Sequence, residues 1–528
     1  MKIDLVYLSK NKPSFQWPLG DVYIVPMYTD VVLSNTKDIL TKSSADWLLF
    51  WDANVGMPAT ELIRELAEKN IDVYHAGLKL GLKGLPHTID YINPAWIYNK
   101  DAGIEIESSS FRLSLRACLI RRSAMESVGG IPGEYWSLDT ASLALGYKII
   151  RMGGMLRYHP GLVQHVEERH SLPLRDEWAF ARQFFPKKWQ IWLLLHKKGF
   201  RLNYKCWKAT REIKYSSLKP MLHSSQVVVD TVYGDKVSVL APTLDRYPYL
   251  QAELQQLSAQ QILPHEVLVT DQTDVAYRQT IDTAAYPLLT IKYYPQNEKG
   301  QCIAWNKLIE EASGNYLLFL GDDADNIQPW FIQKLLHTAH YYDADMVASN
   351  VIELKQPKRE INHYYYMSDT FPITLIRTAL VQEAGNMDMF FNKNIRADYD
   401  LALRCHEHGA LMIFDSSATI DHHRAPSGGL RAHKARVITN SISKNSITKF
   451  AEPTSSEIFL VKKHFNALQY KMFIRIKFFD QLMIKGNVLR KLARAIVFLY
   501  KWPSIKRRYI QNLAIADTEL KQRGSYKY

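Results

Sequence analysis

A repeated pattern of segments constrains the fold of this chain more than any other feature of its sequence. Three segments of the first half recur in the second half in the same order: residues 46–52 as 315–322, 119–130 as 375–385, and 142–145 as 400–403. Their offsets are 270, 256 and 258 residues. Three ordered matches at a nearly constant offset predict two copies of one domain, the alternative being chance similarity between amphipathic segments.

Short apolar segments alternate with amphipathic ones in the second copy. Strands are predicted at 237–242, 266–270, 289–293 and 316–320, and helices at 247–260 and 301–313. This alternation is typical of an α/β fold with a mostly parallel, doubly wound sheet, in which ligands bind at the carboxyl ends of the strands. In the first copy about 36 residues are missing where the second copy forms its first strand and helix.

These patterns divide the chain of 528 residues into parts that differ in charge. The predicted parts are a first α/β domain at 1–165, a helical connector at 166–235, a second α/β domain at 236–450 and a basic helical tail at 451–528. Of the net charge of +13, the tail carries +11, from 16 Lys and Arg against 5 Asp and Glu. The near-neutral remainder argues against a uniformly basic nucleic-acid coat protein and against a largely disordered chain.

Within the tail, residues 489–502 combine apolar and basic side chains at helical spacing. The apolar positions are Leu489, Leu492, Ala493, Ile496 and Leu499 or Tyr500, whereas Arg490, Lys491, Arg494 and Lys501 lie largely elsewhere on the helix. We expect this helix to lie in an anionic membrane surface, with its cations near lipid headgroups. Packing of the tail on the body is one alternative. Nucleic-acid binding is another, although no nucleic-acid-binding module accompanies the charge.

The N-terminus and the cysteines indicate a compartment. Residues 1–5 lack the charged and apolar regions of a signal peptide, and no run approaches about 18 uncharged apolar residues. The four cysteines lie far apart and form no CxxC pair, so neither a disulfide framework nor a structural zinc site is expected. A reducing, cytoplasmic compartment is therefore expected.

The sharpest motif is Gly321-Asp322-Asp323-Ala324-Asp325, which directly follows a predicted strand. Three carboxylates this close repel one another unless a cation or hydrogen-bond donors offset their charge. Mg²⁺ and Mn²⁺ favour carboxylate oxygens and commonly also bind a substrate's phosphates. The motif therefore indicates a metal site, with an acidic turn that caps the next helix as the alternative.

Two further segments carry side chains suited to a ligand. If Asp398-Tyr399-Asp400 opens a helix, Asp400 can pair with Arg404 one turn later, and Asp398 can face a ligand as a general base. Helix capping is the alternative reading of this segment. In residues 421–431, His422 suits a metal, and a Gly-Gly turn beside arginines suits an anion. That segment taken alone is equally compatible with a surface loop.

Together these segments resemble glycosyltransferase family 2, whose members have the nucleotide-sugar-binding GT-A fold. The resemblance spans roughly residues 236–431 and includes, in the family's order, Pro242-Thr243-Leu244-Asp245-Arg246, Val269-Thr270-Asp271-Gln272, residues 300–306, 321–325 and 397–401, and His422. Two positions depart from the family pattern, with Trp305 in place of Arg and Ala397 in place of Glu. With the repeat, the resemblance implies two GT-A-like domains of Rossmann-like α/β type, followed by the basic helical tail.

The resemblance also implies roles for individual residues. Asp323, Asp325 and His422 would hold Mg²⁺ or Mn²⁺ on the donor's diphosphate. Asp398 would be the catalytic base, and Asp271 would recognise the nucleoside base. The residues expected to bind the nucleotide sugar are Thr243, Asp245, Arg246, Asp271, Asn306, Asp322, Asp323, Arg424 and Arg431.

The first copy departs from this pattern. Its acidic position reads Asp52-Ala53-Asn54, with one carboxylate instead of three. Opposite Asp398-Tyr399-Asp400 it has Thr140-Ala141-Ser142, with Asp139 one residue earlier. We expect a degenerate module that serves in acceptor binding or assembly.

The predicted function is that of an inverting, metal-dependent glycosyltransferase of the hexosyltransferase class. It would move a sugar from a nucleotide-sugar donor to a glycan or lipid-linked acceptor in surface polysaccharide biosynthesis, as a peripheral protein at the inner face of a membrane. The alternatives are a bifunctional transferase with both copies active and a non-catalytic sugar- or nucleotide-binding scaffold. A nucleotidyltransferase is less favoured, because residues 242–246 form no Gly-rich phosphate loop after the first strand.

Overall fold

The computed structural model describes residues 1–85, 87–164, 171–223, 233–354, 365–366, 373–423 and 440–524. Arg424 and Arg431, both expected to bind the nucleotide sugar, lie outside these residues. None of the described helices combines the length and the apolar character that crossing a bilayer requires.

The first sheet has seven strands in the order β2-β1-β3-β6-β4-β7-β5. These strands are β1 (Ile3–Leu8), β2 (Val22–Val25), β3 (Trp47–Asp52), β4 (Val73–His75), β5 (Ser108–Ser109), β6 (Ala117–Arg121) and β7 (Leu156–Tyr158). The helices around it are α1 (Thr29–Lys42), α2 (Thr60–Glu68), α3 (His87–Ile92), α4 (Arg122–Ser127) and α5 (Leu138–Arg151). Every residue of β1 and β3 is buried, as expected for central strands with both faces covered.

The described residues of the connector, 171–223 and 233–235, include the helices α6 (Leu174–Phe184), α7 (Lys187–His196) and α8 (Phe200–Ala209). Trp178 of α6 is fully buried, and its indole N–H donates to Asn203 Oδ1 at 3.0 Å. The indole N–H of Trp192 in α7 donates to the Tyr91 carbonyl at 2.9 Å. The connector is therefore packed on itself and on the first domain.

In the part of the chain that the structure describes, the second sheet has nine strands in the order β10-β9-β8-β11-β15-β13-β16-β12, with β14 paired to β16. These strands are β8 (Val237–Thr243), β9 (Glu266–Asp271), β10 (Ile291–Pro295), β11 (Tyr316–Phe319), β12 (Ala324–Asp325), β13 (Met346–Glu353), β14 (Tyr365–Tyr366), β15 (Thr374–Arg377) and β16 (Met412–His422). Its helices are α9 (Tyr247–Ser258), α10 (Gln301–Glu311), α11 (Phe331–Tyr342), α12 (Thr378–Ala384) and α13 (Ala397–Glu407).

The two sheets share one topology. In the described residues, β2-β1-β3-β6-β4-β7-β5 corresponds strand for strand to β9-β8-β11-β15-β13-β16-β14, with the same parallel and antiparallel pairings. The prediction of two α/β domains is confirmed, but both sheets are mixed, because β6 and β15 run antiparallel to both neighbours. β10 has no counterpart in the described part of the first sheet, and residues 9–21 form no helix where the second domain has α9.

A buried carboxylate fixes the amino end of the central strands in the second sheet. Glu266, at the start of β9, accepts hydrogen bonds from Ser238 Oγ at 2.6 Å and from the Ser313 backbone N–H at 2.7 Å. Lys292 Nζ lies 2.6 Å from its other oxygen. Burial alone would raise the pKa of Glu266, but these hydrogen bonds lower it to about 2. The carboxylate is therefore ionised and ties neighbouring strands and a loop together.

The two domains and the tail meet at one junction. A side chain at Gly409 could not be accommodated, since its Cβ would lie 2.3 Å from the Glu107 carbonyl oxygen in the first domain. Lys100 of the first domain donates to the His464 carbonyl at 2.7 Å and lies 3.1 Å from Glu407. The His406 ring, in α13, hydrogen-bonds the Lys100 carbonyl at 2.8 Å. All three parts of the chain contribute to this contact.

In the described residues 440–524, a short helix α14 (Asn440–Asn445) precedes the tail, and the tail forms α15 (Ser455–His464), α16 (Ala467–Leu482) and α17 (Val488–Gln522). Most of α15 is buried, and Gln469 of α16 donates to Asp90 Oδ1 in α3 at 2.8 Å. Lys462 of α15 pairs with Asp517 of α17 at 2.5 Å. Packing on the body, one of the alternatives raised above, thus holds for α15 and α16.

The first half of α17 has two opposite faces. The buried face carries Phe498 and Ile505, whereas Leu489, Leu492, Ile496, Leu499 and Tyr500 are 56–84% exposed. Arg494, expected near lipid headgroups, is instead buried on the packed face. Its guanidinium donates to the carbonyls of Gln481, Ser446 and Lys449 and stacks 3.8 Å from the Phe450 ring centroid. The expectation for Arg494 was wrong because its hydrogen-bond acceptors belong to segments distant in the sequence, which helical spacing does not reveal.

Candidate active site

The acidic motif lies at the carboxyl end of β11, where the chain turns back into the short strand β12. This strand pairs antiparallel with the end of β16, which places Ala324 opposite His422 and Asp325 opposite Asp421. As a result, His422 Nε2 lies 3.1 Å from Asp323 Oδ1, and His423 Nε2 lies 2.7 Å from Asp325 Oδ2. The predicted metal-binding residues Asp323, Asp325 and His422 are thus brought to one edge of the sheet.

Arg246 partly offsets the charge of the motif. Arg246, at the amino end of α9, places Nη1 2.7 Å from Asp322 Oδ1 and 3.3 Å from Asp323 Oδ2. Burial nevertheless raises the pKa of Asp322 above its ordinary value. Burial and the nearby Asp322 and Asp323 raise the pKa of the fully buried Glu253 carboxyl well above its usual range. The turn therefore stays electronegative despite Arg246.

The donor types of this edge fit a hard divalent cation, since carboxylate oxygens lie beside imidazole nitrogens. The side chains form two hydrogen-bonded carboxylate–imidazole pairs, and Glu353 Oε2 lies 3.5 Å from His422 Nδ1. The described residues contain no group of three or more such side chains that could hold a metal ion. The Asp323 contact raises the pKa of His422, so its ring holds a proton more readily than a free histidine. His423 was missed from the sequence, where only His422 matches the family pattern. Its signal is the adjacency of two histidines at the end of a strand.

Asp271, expected to recognise the nucleoside base, lies at the carboxyl end of β9 and is fully buried. Its Oδ2 accepts from the hydroxyls of Tyr247 at 2.6 Å and Tyr293 at 2.5 Å, and its Oδ1 accepts from the Thr273 backbone N–H at 2.8 Å. Burial and the bond to Asp271 raise the pKa of both tyrosines. Neither tyrosine was anticipated, because their contact joins α9 and β10 across β9.

The other predicted nucleotide-binding residues occupy different surroundings. Thr243 is buried at the end of β8, and Asp245 is exposed in a left-handed backbone conformation with φ of 58°. The Asp245 N–H donates to Thr273 Oγ1 at 2.9 Å, which joins the ends of β8 and β9. Asn306 lies in α10, and both atoms of its amide bond the Met387 backbone, at 2.9 and 2.8 Å. Its amide thus holds a loop in this structure.

Helix α13 presents the predicted base. Asp398 is its second residue and is half-buried, and its Oδ1 accepts from the Tyr399 N–H at 2.9 Å. Asp400 is fully buried and accepts from Arg404 Nε at 2.9 Å, which confirms the predicted pair. Lys463 Nζ at 2.7 Å and His464 Nε2 at 2.9 Å complete its surroundings.

The electrostatics of the two aspartates therefore differ. Burial opposes the ionisation of Asp400, but His464, Lys463 and Arg404 hold its pKa well below the usual range. Asp400 is committed to the packing of α13 against α15. Asp398 lies two residues earlier on the same helix and is half-buried.

The first domain replaces the acidic motif by an internal ion pair. Asp52, at the end of β3, is fully buried, and Arg116 Nε donates to its Oδ2 at 2.8 Å. Its Oδ1 accepts from the backbone and side-chain nitrogens of Asn54, both at 2.9 Å. Asp139 is the second residue of α5, as Asp398 is of α13. Asp139 and Asp398 thus share a position on their helices. At the counterpart of the acidic motif, however, Arg116 neutralises the Asp52 carboxylate.

Comparison with known proteins places the second domain in a family. Residues 238–420 match the family described as glycosyl transferase family 2. This part of the chain is a family 2 glycosyl transferase domain. A curated relative from Bacillus subtilis (strain 168), the uncharacterized glycosyltransferase YwdF, is 30% identical over 114 residues, which cover 21% of this chain and 41% of the relative. The chain thus spans about two fifths of that relative's length.

Solved structures show a weaker likeness. S. aureus TarS 1–349 in complex with UDP-GlcNAc has a TM-score of 0.34 and 15% identity, over 56% of this chain and 93% of TarS 1–349. The mannosyltransferase PcManGT from Pyrobaculum calidifontis, in complex with GDP-Man and Mn²⁺, has a TM-score of 0.33 and 15% identity, over 66% and 98% of the two chains. Likeness at this level assigns no substrate or metal to the present protein.

Proposed function

We propose that the protein transfers a sugar from a nucleotide-sugar donor to a glycan or lipid-linked acceptor, with inversion at the anomeric carbon. The observation that carries this proposal is the meeting of the acidic turn and the two histidines at the carboxyl edge of one sheet in a family 2 domain. In doubly wound sheets this edge is where ligands bind. A non-catalytic scaffold would have no need of the half-buried Asp398 carboxylate as a base.

Individual residues of the chain would have distinct roles in such a reaction. Asp323, Asp325 and His422 would hold Mg²⁺ or Mn²⁺, which supplies a Lewis acid for the leaving diphosphate. Asp398 would accept the proton of the acceptor hydroxyl as that oxygen attacks. Arg246 would keep the acidic turn in place before the donor binds.

Asp271 would recognise the nucleoside base only by exchanging one of its tyrosine hydroxyl bonds for a bond to the ligand. Because Tyr247 and Tyr293 border the same carboxylate, they are also candidates to contact the base. Thr243 and Asp245 would border the donor from the end of β8. Asp322 would act through its contact with Arg246.

We assign the first domain to acceptor binding or assembly rather than to a second reaction. Its counterpart of the acidic motif is the buried Asp52–Arg116 pair, and a metal would have to displace a guanidinium there. Removing one partner of a buried ion pair costs about 3–5 kcal/mol. Asp139 keeps a bifunctional enzyme as the second candidate, since it occupies the helix position of Asp398.

The tail would place the enzyme on a membrane through α17. Its exposed apolar stripe spans Leu489 to Tyr500, and it faces away from the packed side of the helix. The exposed Lys491 flanks this stripe and would contact anionic headgroups, a near-surface cation contributing about 1 kcal/mol. Arg490 and Lys501, also expected near headgroups, instead donate to the Asn445 and Thr448 carbonyls at 2.6 and 3.1 Å. A second copy of the chain is a less suitable partner for this stripe than a membrane, because the cations of its own tail would repel those of the first copy. The proposed setting is surface polysaccharide synthesis at the inner, cytoplasmic face of the membrane.

The test is a thermal-shift panel of UDP-, GDP-, dTDP- and CMP-sugars with and without Mn²⁺. A ligand at 100 times its Kd stabilises the native state by about 2.7 kcal/mol, which is readily measured. We expect one nucleotide class to raise the melting temperature, and to do so more strongly with Mn²⁺. Slow metal-dependent hydrolysis of the same nucleotide sugar would then separate an enzyme from a scaffold. No shift with any nucleotide in either condition would refute the proposal.

A further inference from the structure

A cavity of about 330 Å³ opens beside the start of α13, and all parts of the chain except the connector line it. Arg396 and Tyr399 contribute from either side of Asp398. The first domain contributes residues 92–96 and Arg151, and the tail contributes residues from α15 and α16. This cavity lies at the base-bearing end of α13 and is separate from the acidic turn.

The lining of the cavity combines apolar side chains with charged ones of both signs. The apolar side chains include Ile92, Pro94, Leu460 and Ile476. The charged ones are three cations and two carboxylates: Arg151, Arg396, Lys477, Glu457 and Asp480. Lys477 lies 2.8 Å from Glu457, whereas Arg151 has no ion pair with any residue that the structure describes.

We propose that this cavity binds the terminal sugar ring of the acceptor. Sugar hydroxyls both donate and accept hydrogen bonds, so they can use guanidinium and carboxylate groups of the same lining. The apolar side chains suit the C–H face of the ring. A phosphate dianion has no hydrogen to donate to Glu457 and Asp480, and a lipid chain would leave the charged side chains unpaired. The volume suits one or two sugar rings.

The position of the cavity gives the sugar a route to the reaction. Arg396 precedes α13 in a left-handed conformation with φ of 85°, which is strained for a residue other than glycine. Its guanidinium lies 3.7 Å from the buried Glu457, and this contact helps to hold the conformation. A sugar between Arg396 and Tyr399 would contact the residues on either side of Asp398 in the chain, although Asp398 itself is not part of the lining. This inference rests on the proposed transferase function, and it gives the first domain its part in acceptor binding.

The test measures binding of simple sugars to the full-length protein. Saturation-transfer-difference NMR is recorded with methyl glycosides of glucose, galactose, mannose and N-acetylglucosamine at millimolar concentration. Ile476→Trp fills the cavity from the tail, and Ile510→Trp on the exposed face of α17 is its matched control. Arg151→Gln removes one positive charge from the cavity lining, and Arg64→Gln on the exposed face of α2 is the control for that change.

We expect at least one glycoside to bind, Ile476→Trp to abolish its signal, and Arg151→Gln to weaken binding about tenfold, the worth of one charge-assisted hydrogen bond. Both controls should match the unaltered protein. Equal signals in all variants, or no signal from any glycoside, would overturn the assignment. The donor panel separates the two proposals. If a nucleotide raises the melting temperature but no glycoside binds, the sugar site in the cavity is refuted and the transferase proposal stands. If a glycoside binds, its binding is lost in Ile476→Trp and no nucleotide raises the melting temperature, the transferase function is refuted and the cavity remains a sugar site.

Discussion

Asp400→Asn should destabilise the protein strongly, because Asp400 is a buried carboxylate with three basic neighbours. Arg404, Lys463 and His464 lie 2.9, 2.7 and 2.9 Å from its oxygens. Asparagine keeps the shape of the side chain but removes the countercharge from these groups. Removing one partner of a buried ion pair costs about 3–5 kcal/mol. For a domain of about 200 residues, this corresponds to about 6–20 °C in melting temperature.

The assay is thermal unfolding at pH 7, with Asp38→Asn on the exposed face of α1 as the matched control. That surface change should shift the melting temperature by less than about 2 °C. The pKa of Asp400 is depressed in the fold, so its stabilising contribution is complete above about pH 4 and is lost as the pH falls further. The difference between the two proteins should therefore narrow in acid. A difference below about 3 °C at pH 7 would refute the reasoning, because it would place the basic groups in water rather than in a buried network.

Asp398→Asn should lower sugar transfer by about 10²–10⁴-fold, whereas nucleotide affinity, measured by calorimetry, should change only a few-fold. Turnover at the normal rate would show that Asp398 is not the catalytic base. Glu266→Gln should lower the melting temperature at pH 7, and the gap should close as the pH falls from 4.5 to about 2, because the depressed pKa makes the contribution of this carboxylate vanish in acid. A gap that stays constant over this range would contradict that assignment. Leu492→Ser combined with Ile496→Ser should reduce co-sedimentation with vesicles that contain anionic lipid, at an unchanged melting temperature, since both side chains are exposed; undiminished co-sedimentation would exclude the stripe as the contact. Asp139→Asn should leave transfer unchanged, and loss of one specific linkage would instead reveal a second active site.

The sequence predicted those features that depend on local pattern or on order along the chain. The repeat and the alternation of apolar segments led to two α/β domains. The first copy lacks α9 as predicted, but the strand it lacks is β10 rather than the first strand of the second copy, since β1 corresponds to β8. The pairing of Asp400 with Arg404 followed from one turn of helix. The proximity of His422 to Asp323 followed from family order and was found at 3.1 Å.

Features that depend on contacts between distant segments were not predictable in this way. Nothing in the local sequence shows that Lys463 and His464 approach Asp400 from another helix, or that Tyr293 caps Asp271 from the adjacent strand. The burial of Arg494 is of the same kind, since helical spacing alone placed it among exposed cations. The antiparallel runs of β6 and β15 also escaped notice, because a buried strand has the same apolar pattern in either direction.

The junction around Lys100 and His464 bears on how far this protein is modular. Residues 238–420 are recognised as one unit by their similarity to a family, yet this stretch alone would keep only Arg404 beside Asp400. Lys463 and His464 would be lost from that carboxylate, and Glu407 would lose Lys100. The unit that is inherited and the unit that unfolds cooperatively therefore differ in this chain. Exchange of the family 2 domain between proteins would require the tail and the face of the first domain to move with it.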